Sequence, residues 1–151
     1  MPRSKPGMFM DQALEQARAA MQIGEVPVGA VVVRDGVVIA TGHNRMRMDN
    51  DPTAHAEMVA MRRAAASLGT SQLIDCDLWV TLEPCAMCTG AIAHARIRRL
   101  YYGASDPKGG AVEHGPRLFS QTTLHHRPEL YSGISEEEAA ALLKTFFADK
   151  R

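Results

Sequence analysis

The sequence predicts an α/β domain in which helices cover both faces of a central mixed sheet. Two valine-rich runs, 26–33 and 37–41, are separated only by Arg34-Asp35-Gly36, which reads as the tight turn of an antiparallel hairpin. A strand–helix–strand succession spans 77–102, and crossovers of that length join parallel strands. Amphipathic segments open and close the chain, each needing a sheet face to cover its apolar side.

Taken in order, residues 1–8 carry no periodic apolar signal and read as a flexible tail before a single domain at 9–151. The first helix is expected at 9–23, with Met10, Leu14, Ala17 and Met21 on one face. The hairpin follows, and then a polar loop at 44–52. A second helix is expected at 54–67, rich in Ala and Met, with Thr53 as its N-cap. The third strand is 77–82. Pro84 suits the first turn of a helix running to 95, and 97–102 is the fourth strand. The stretch 103–133, broken by Gly and Pro, shows no period. Ser135 with Glu138 has the spacing of a capping box, and Leu142, Leu143, Phe146 and Phe147 give the last helix an apolar face.

Composition narrows the function. The chain has 151 residues, 46% hydrophobic and 23% charged, as an ordinary globular domain has. No apolar run approaches the roughly 18 residues of a membrane span. The first seven residues lack the apolar stretch of a secretory signal. Three cysteines, two of them with a metal to hold, fit a reducing cytoplasm, and Cys76 reads as a small core residue. The 17 basic and 17 acidic residues cancel, which removes the broad basic footprint of many nucleic-acid binders. Any RNA contact then rests on local clusters: Arg45 with Arg47; Arg96, Arg98 and Arg99; Lys150-Arg151.

The chemistry sits in two short runs, Thr53-Ala54-His55-Ala56-Glu57 and Pro84-Cys85-Ala86-Met87-Cys88. Zinc takes Cys sulfur and His nitrogen, and structural sites close all four positions with protein. His55, Cys85 and Cys88 close three, which leaves one for water, as in a catalytic site. Cys85 and Cys88 share a helical face in a first turn, where the helix dipole favours thiolates. Glu57 is free to carry protons for the activated water. A redox pair would be expected directly after the first strand of a thioredoxin-like unit, and this pair lies past mid-chain. His114, His125 and His126 offer a rival metal set, although loop histidines more often face solvent.

An H-x-E run followed by P-C-x-x-C is the signature of zinc nucleobase deaminases. The runs 24–30, 51–57 and 80–85, continued by 91–110 with Asp106-Pro107-Lys108-Gly109-Gly110, resemble the bacterial tRNA-specific adenosine deaminase family over roughly residues 9–148. The resemblance implies a three-layer α/β/α cytidine deaminase-like fold, with a short helix and a fifth strand in the unreadable stretch. It implies one zinc per chain, Glu57 as proton shuttle, and conversion of adenosine to inosine at the wobble position of a tRNA anticodon. It further implies a substrate pocket of Asn44, Val28 and Asp106, a backbone amide near Cys85 that orients the attack, an anticodon stem-loop as partner, a homodimer, and a terminal helix near the RNA. The chain departs from the family in stopping at Lys150-Arg151 without a long basic tail. Two alternatives stay open. One is a deaminase of a free base such as guanine or cytosine, which shares the zinc kit. The other is a non-catalytic zinc-stabilised RNA-binding module, disfavoured by Glu57 and the vacant fourth position.

Overall fold

Strands β1 (Gly29–Arg34) and β2 (Val37–His43) are joined by Asp35 and Gly36 alone. Their φ values of 52° and 77° are both positive, as a type I′ turn requires. The computed structural model describes residues 6–149. Its other elements are α1 (Pro6–Gln22), α2 (Ala56–Leu68), β3 (Cys76–Leu82), α3 (Ala86–Ala95), β4 (Arg99–Ala104), β5 (Glu129–Tyr131) and α4 (Glu136–Ala148), with a 3-10 turn at Leu118–Ser120. The strand order is β2-β1-β3-β4-β5. β1 runs antiparallel to both β2 and β3, while β3, β4 and β5 are mutually parallel, so the sheet is mixed.

Alternation along β1 divides the core. Ala30 and Val32 face α2 and α3, packing with Ala60, Met61, Leu78 and Ile92. Val31 and Val33 face α1 and α4, packing with Phe9, Leu14, Trp79 and Ala139. β1 and β3 are buried on both faces; β1 reads in the sequence as a continuous apolar run, whereas β3 carries the buried Asp77 and Thr81 near its ends. Cys76 opens β3 with no exposed surface, as expected. Gly42 marks how closely α2 presses on β2: a Cβ there would lie 2.7 Å from the Ala60 nitrogen. Among the described residues, no helix is long and apolar enough to cross a membrane.

Several boundaries differ from expectation. α1 begins at Pro6, inside the segment read as a tail, because proline fits the first helical turn and Met8 projects outward without marking a face. Residues 1–5 of that tail, like Lys150-Arg151, lie outside the described residues. Thr53 does not cap α2. Its hydroxyl donates to Asp51 Oδ1, and His55 occupies the N-cap position. The Ser135–Glu138 box does not form: Ser135 is left-handed (φ 54°), and its side chain makes no cap bond. Three glutamates in the first turn of α4 meet its dipole instead.

Register places the chemistry. Gly29 pairs with His43, so Val28 and Asn44 emerge side by side, with Asn44 N–H donating to Val28 O at 3.2 Å. Leu82 pairs with Ala104, so Glu83 and Ser105 leave the sheet at that same end. This is the carboxyl end of the parallel strands, the usual place for ligands in α/β sheets.

A candidate metal centre at the helix N-termini

His55 and Cys85 are the N-cap residues of α2 and α3, and neither side chain caps its helix. Both backbones are extended there, at φ −73° and −75°, which turns the side chains off the helix axes. Cys88 sits in the first turn of α3. The two helix starts therefore meet as expected. His55 Nδ1 lies 3.5 Å from Cys85 Sγ and 3.5 Å from Cys88 Sγ. Zinc bonds of ordinary length at a tetrahedral angle would separate a nitrogen from a sulfur ligand by about 3.6 Å. Donor types and spacing both fit zinc. His55, Cys85 and Cys88 are the one potential metal-holding group among the described residues.

The three side chains perturb one another strongly. Cys85 is lowered to about 4, first by the thiol hydrogen bond from Cys88 and then by His55. Cys88 is raised, first by that same bond and then by its burial. The His55 imidazole is raised chiefly by its bond to Cys85. Glu57, one residue into α2, is 4% exposed, and burial raises its carboxyl above the ordinary range.

A cavity of about 200 Å³ opens on the cluster, lined by Val28, Asn44, His55, Glu57, Cys85 and Asp106 together with Val26, Met46, Leu82, Glu83 and Gly109. Every proposed pocket residue thus borders one space. Asn44 is 5% exposed, and its Oδ1 accepts the Ala56 N–H at 2.8 Å. This side chain, remote in sequence, does the capping expected of Thr53. Asp106 Oδ1 accepts Gly109 N–H at 3.0 Å and Lys108 N–H at 3.3 Å, so it also closes its own turn.

The three loop histidines do not gather. His114 Nδ1 contacts Glu83 Oε1 at 2.7 Å, His126 Nε2 contacts Ile97 O at 2.6 Å, and His125 is exposed. The arginines divide by location. Arg45 and Arg47 lie on the loop after Asn44; Arg45 is paired with Asp49, and Arg47 reaches Gly24 O. Arg98 and Arg99 lie at the opposite end of the sheet, bound to Asp77 and Glu129, which removes them as free phosphate contacts beside the cavity. Glu83 is the residue that sequence reasoning passed over. It is 2% exposed and surrounded by donors, and its place directly before Pro84-Cys85 was the only signal.

The MafB19-like deaminase family model matches residues 6–151. The tRNA-specific adenosine deaminase of Agrobacterium fabrum is 59% identical over 143 residues, covering 95% of this chain and 94% of that one. A solved structure from work on A-to-I editing by tRNA deaminases at the wobble position aligns with TM-score 0.89 at 59% identity, over 90% of this chain and 99% of that chain. A guanine deaminase from Nitrosomonas europaea aligns with TM-score 0.79 at 28% identity, over 96% and 86%.

Proposed function

The chain belongs to the MafB19-like deaminase family, and we propose that it hydrolyses adenosine to inosine at the wobble position of a tRNA anticodon in the cytoplasm. The reading rests on one juxtaposition. His55 and Cys85, clustered with the buried Cys88, line a cavity that is also bordered by the buried Glu57 and by Asn44. The 59% identity to a tRNA-specific adenosine deaminase favours RNA over a free base, since the guanine deaminase shares 28%.

His55 Nδ1, Cys85 Sγ and Cys88 Sγ would hold one zinc per chain. When bound, zinc supplies the Lewis acidity that lowers the pKa of water to about 7. Glu57 takes a proton from the attacking water and passes it to the ring nitrogen beside C6. It then carries the second proton to the departing amine as the C6–N bond breaks, and ends as it began. Its raised pKa suits a group that must hold a proton as well as release one. The backbone amide near Cys85 orients the attack. Val28 and Asn44 hold the base, and Asp106 lies toward the nucleotide backbone. The cavity takes one extruded base, which costs least from a single-stranded loop.

The deciding experiment incubates the zinc-loaded protein separately with an anticodon stem-loop RNA, guanine, cytosine and free adenosine. Inosine should form in the RNA while ammonia from the free compounds stays at background. Ready turnover of guanine with the RNA untouched would make this chain the sister enzyme instead.

Asn44 has two tasks that can be separated. Asn44→Ala removes both the base contact and the acceptor for Ala56 N–H, so it should lower both turnover and stability, the latter by about 1–3 kcal/mol. Asn44→Asp keeps the acceptor for Ala56 N–H and loses the amide donor, and its added negative charge sits at the α2 N-terminus, where the helix dipole favours it. Its turnover should fall while thermal stability and RNA affinity change little, because the contact is to the flipped base and not the backbone. Equal losses of rate and affinity in Asn44→Asp would refute the base-holding role.

A homodimer completes the proposal. Met58 and Ala65 of α2 and Ala91 and Ala95 of α3 line an open groove between the two helices, with Arg62, Gln72 and His94 at its rim. Sedimentation at micromolar concentration should give twice the chain mass. A monomer throughout that range would exclude the dimer.

A further inference from the structure

We infer that Glu83 is a positioning residue, whose buried carboxylate, latched by His114, holds the 105–114 segment at the mouth of the catalytic cavity. The side chain has no exposed surface and no Lys or Arg partner among the described residues. Five donors of the segment surround it instead. Oε1 accepts Asp106 N–H at 3.0 Å and faces His114 Nδ1 at 2.7 Å. Oε2 accepts the backbone N–H groups of Val112, Glu113 and His114 at 3.2, 3.0 and 3.2 Å. A carboxylate only accepts, so His114 Nδ1 carries the proton of that bond. The segment is closed further by Gly110 N–H on Asp106 O and Ala111 N–H on Pro84 O, at 2.8 and 2.9 Å.

The approach is too close for any side chain at its centre. A Cβ on Gly110 would lie 2.5 Å from Glu83 Cδ and Oε2. The latch thus joins three places in the chain: the residue two before Cys85, the glycine at 110, and the imidazole at 114. Asp106 at one anchor point and Gly109 between the anchors line the cavity, with Lys108 beside them. Ala111 and Val112 are buried, but residues 105–109 are largely exposed, and stretches with few apolar contacts of their own open readily unless tied. Glu83 supplies that tie, and so acts on substrate capture through Asp106 while standing outside the proton path.

The proposal rests on the reading that this cavity deaminates a base in RNA, and its test has one arm that does not. In the zinc-loaded protein, Glu83→Gln can keep one oxygen for the N–H groups of 112–114. It must then turn an NH₂ toward Asp106 N–H, donor against donor. KM for the stem-loop should rise about tenfold, the scale of one lost hydrogen bond to a charged group, while kcat and zinc content stay near wild type. His114→Ala should raise KM in the same sense. His114→Asn, whose amide nitrogen falls close to the position of Nδ1, should restore it.

Amide hydrogen exchange at Asp106 and residues 112–114, read without substrate, should quicken in Glu83→Gln and His114→Ala. Unchanged exchange overturns the latch whatever the enzyme's activity. A parallel fall of kcat and zinc content with KM unmoved overturns it too, by showing that Glu83 serves the metal helix through Pro84.

Discussion

Glu57→Ala and Glu57→Gln are expected to keep the fold and the zinc and to lose turnover. Positioned acid–base groups contribute about 10²–10⁴-fold, and here a single carboxyl serves successive proton transfers, so the loss should reach the upper end of that range. Gln is the sharper variant because it fills the same space. The carboxyl is 4% exposed, so Ala would also leave a hole at the floor of the cavity. Single-turnover inosine formation on a stem-loop, with zinc measured on the same sample, checks the claim. A Gln variant within tenfold of wild type would remove Glu57 from the proton path. Stability gives an independent sign. Burial raises this carboxyl in the folded, chelated protein, so the folded state binds more protons than the unfolded one at pH values above the ordinary glutamate pKa. Stability of the metal-free wild type relative to Glu57→Gln should therefore decline as pH rises from that value through the folded pKa. Thermal unfolding of the two chelated proteins across that window reads it directly.

The His55, Cys85 and Cys88 cluster was legible in the sequence because its residues are few in kind and close in number. A histidine two before a glutamate and two cysteines three apart are conspicuous, and each pair falls at a helix start that Ala-rich or Pro-led sequence announces. The hairpin was legible for a similarly local reason: Asp35-Gly36 tolerates the two positive φ values between two Val-rich runs. The crossover fixed the direction of β4, and α1 announced its apolar face by period; of the face read on α4, Phe146 is buried but Phe147 is 51% exposed, because the helix buries only Ala139 and Phe146 against the rest of the fold.

What escaped reading depends on side chains meeting backbone far along the chain. Asn44 caps α2 from 12 residues away, and Glu83 binds a segment 23 to 31 residues ahead of it. Neither leaves a period or a neighbouring partner. β5 is three residues long, exposed throughout and at the sheet edge, so it carries no alternation. The apparent capping box at Ser135 failed because spacing alone does not state backbone conformation, and a left-handed residue aims its hydroxyl elsewhere. The charge clusters misled differently. Arg98 and Arg99 are adjacent in sequence to a metal helix, but at its far end, and they are spent on Asp77 and Glu129.

Cys85→Ser and Cys88→Ser should each empty the metal site and abolish activity, yet differ in what they do to the metal-free fold. A serine hydroxyl stays protonated near neutral pH and is a poor substitute for thiolate on zinc, so elemental analysis should find little metal in either variant. Cys85 stands at the N-cap of α3 without making a cap bond. Serine is among the favoured N-cap residues, worth about 1 kcal/mol over a residue that does not cap. Chelated Cys85→Ser should then unfold at or above the temperature of chelated wild type. Cys88 is wholly buried in the first turn of the same helix, where a hydroxyl is costlier to desolvate than a thiol. Chelated Cys88→Ser should unfold below wild type. Both should lose the stabilisation that added zinc gives the wild-type protein by binding the folded state. Acid should release the wild-type metal as well. The ligands bind deprotonated, and Cys85 raises the pKa of the metal-free His55 imidazole, so protons displace zinc as pH falls. Wild-type zinc content in either serine variant would end the three-ligand assignment, since a carboxylate or a distant histidine would then have to complete the site.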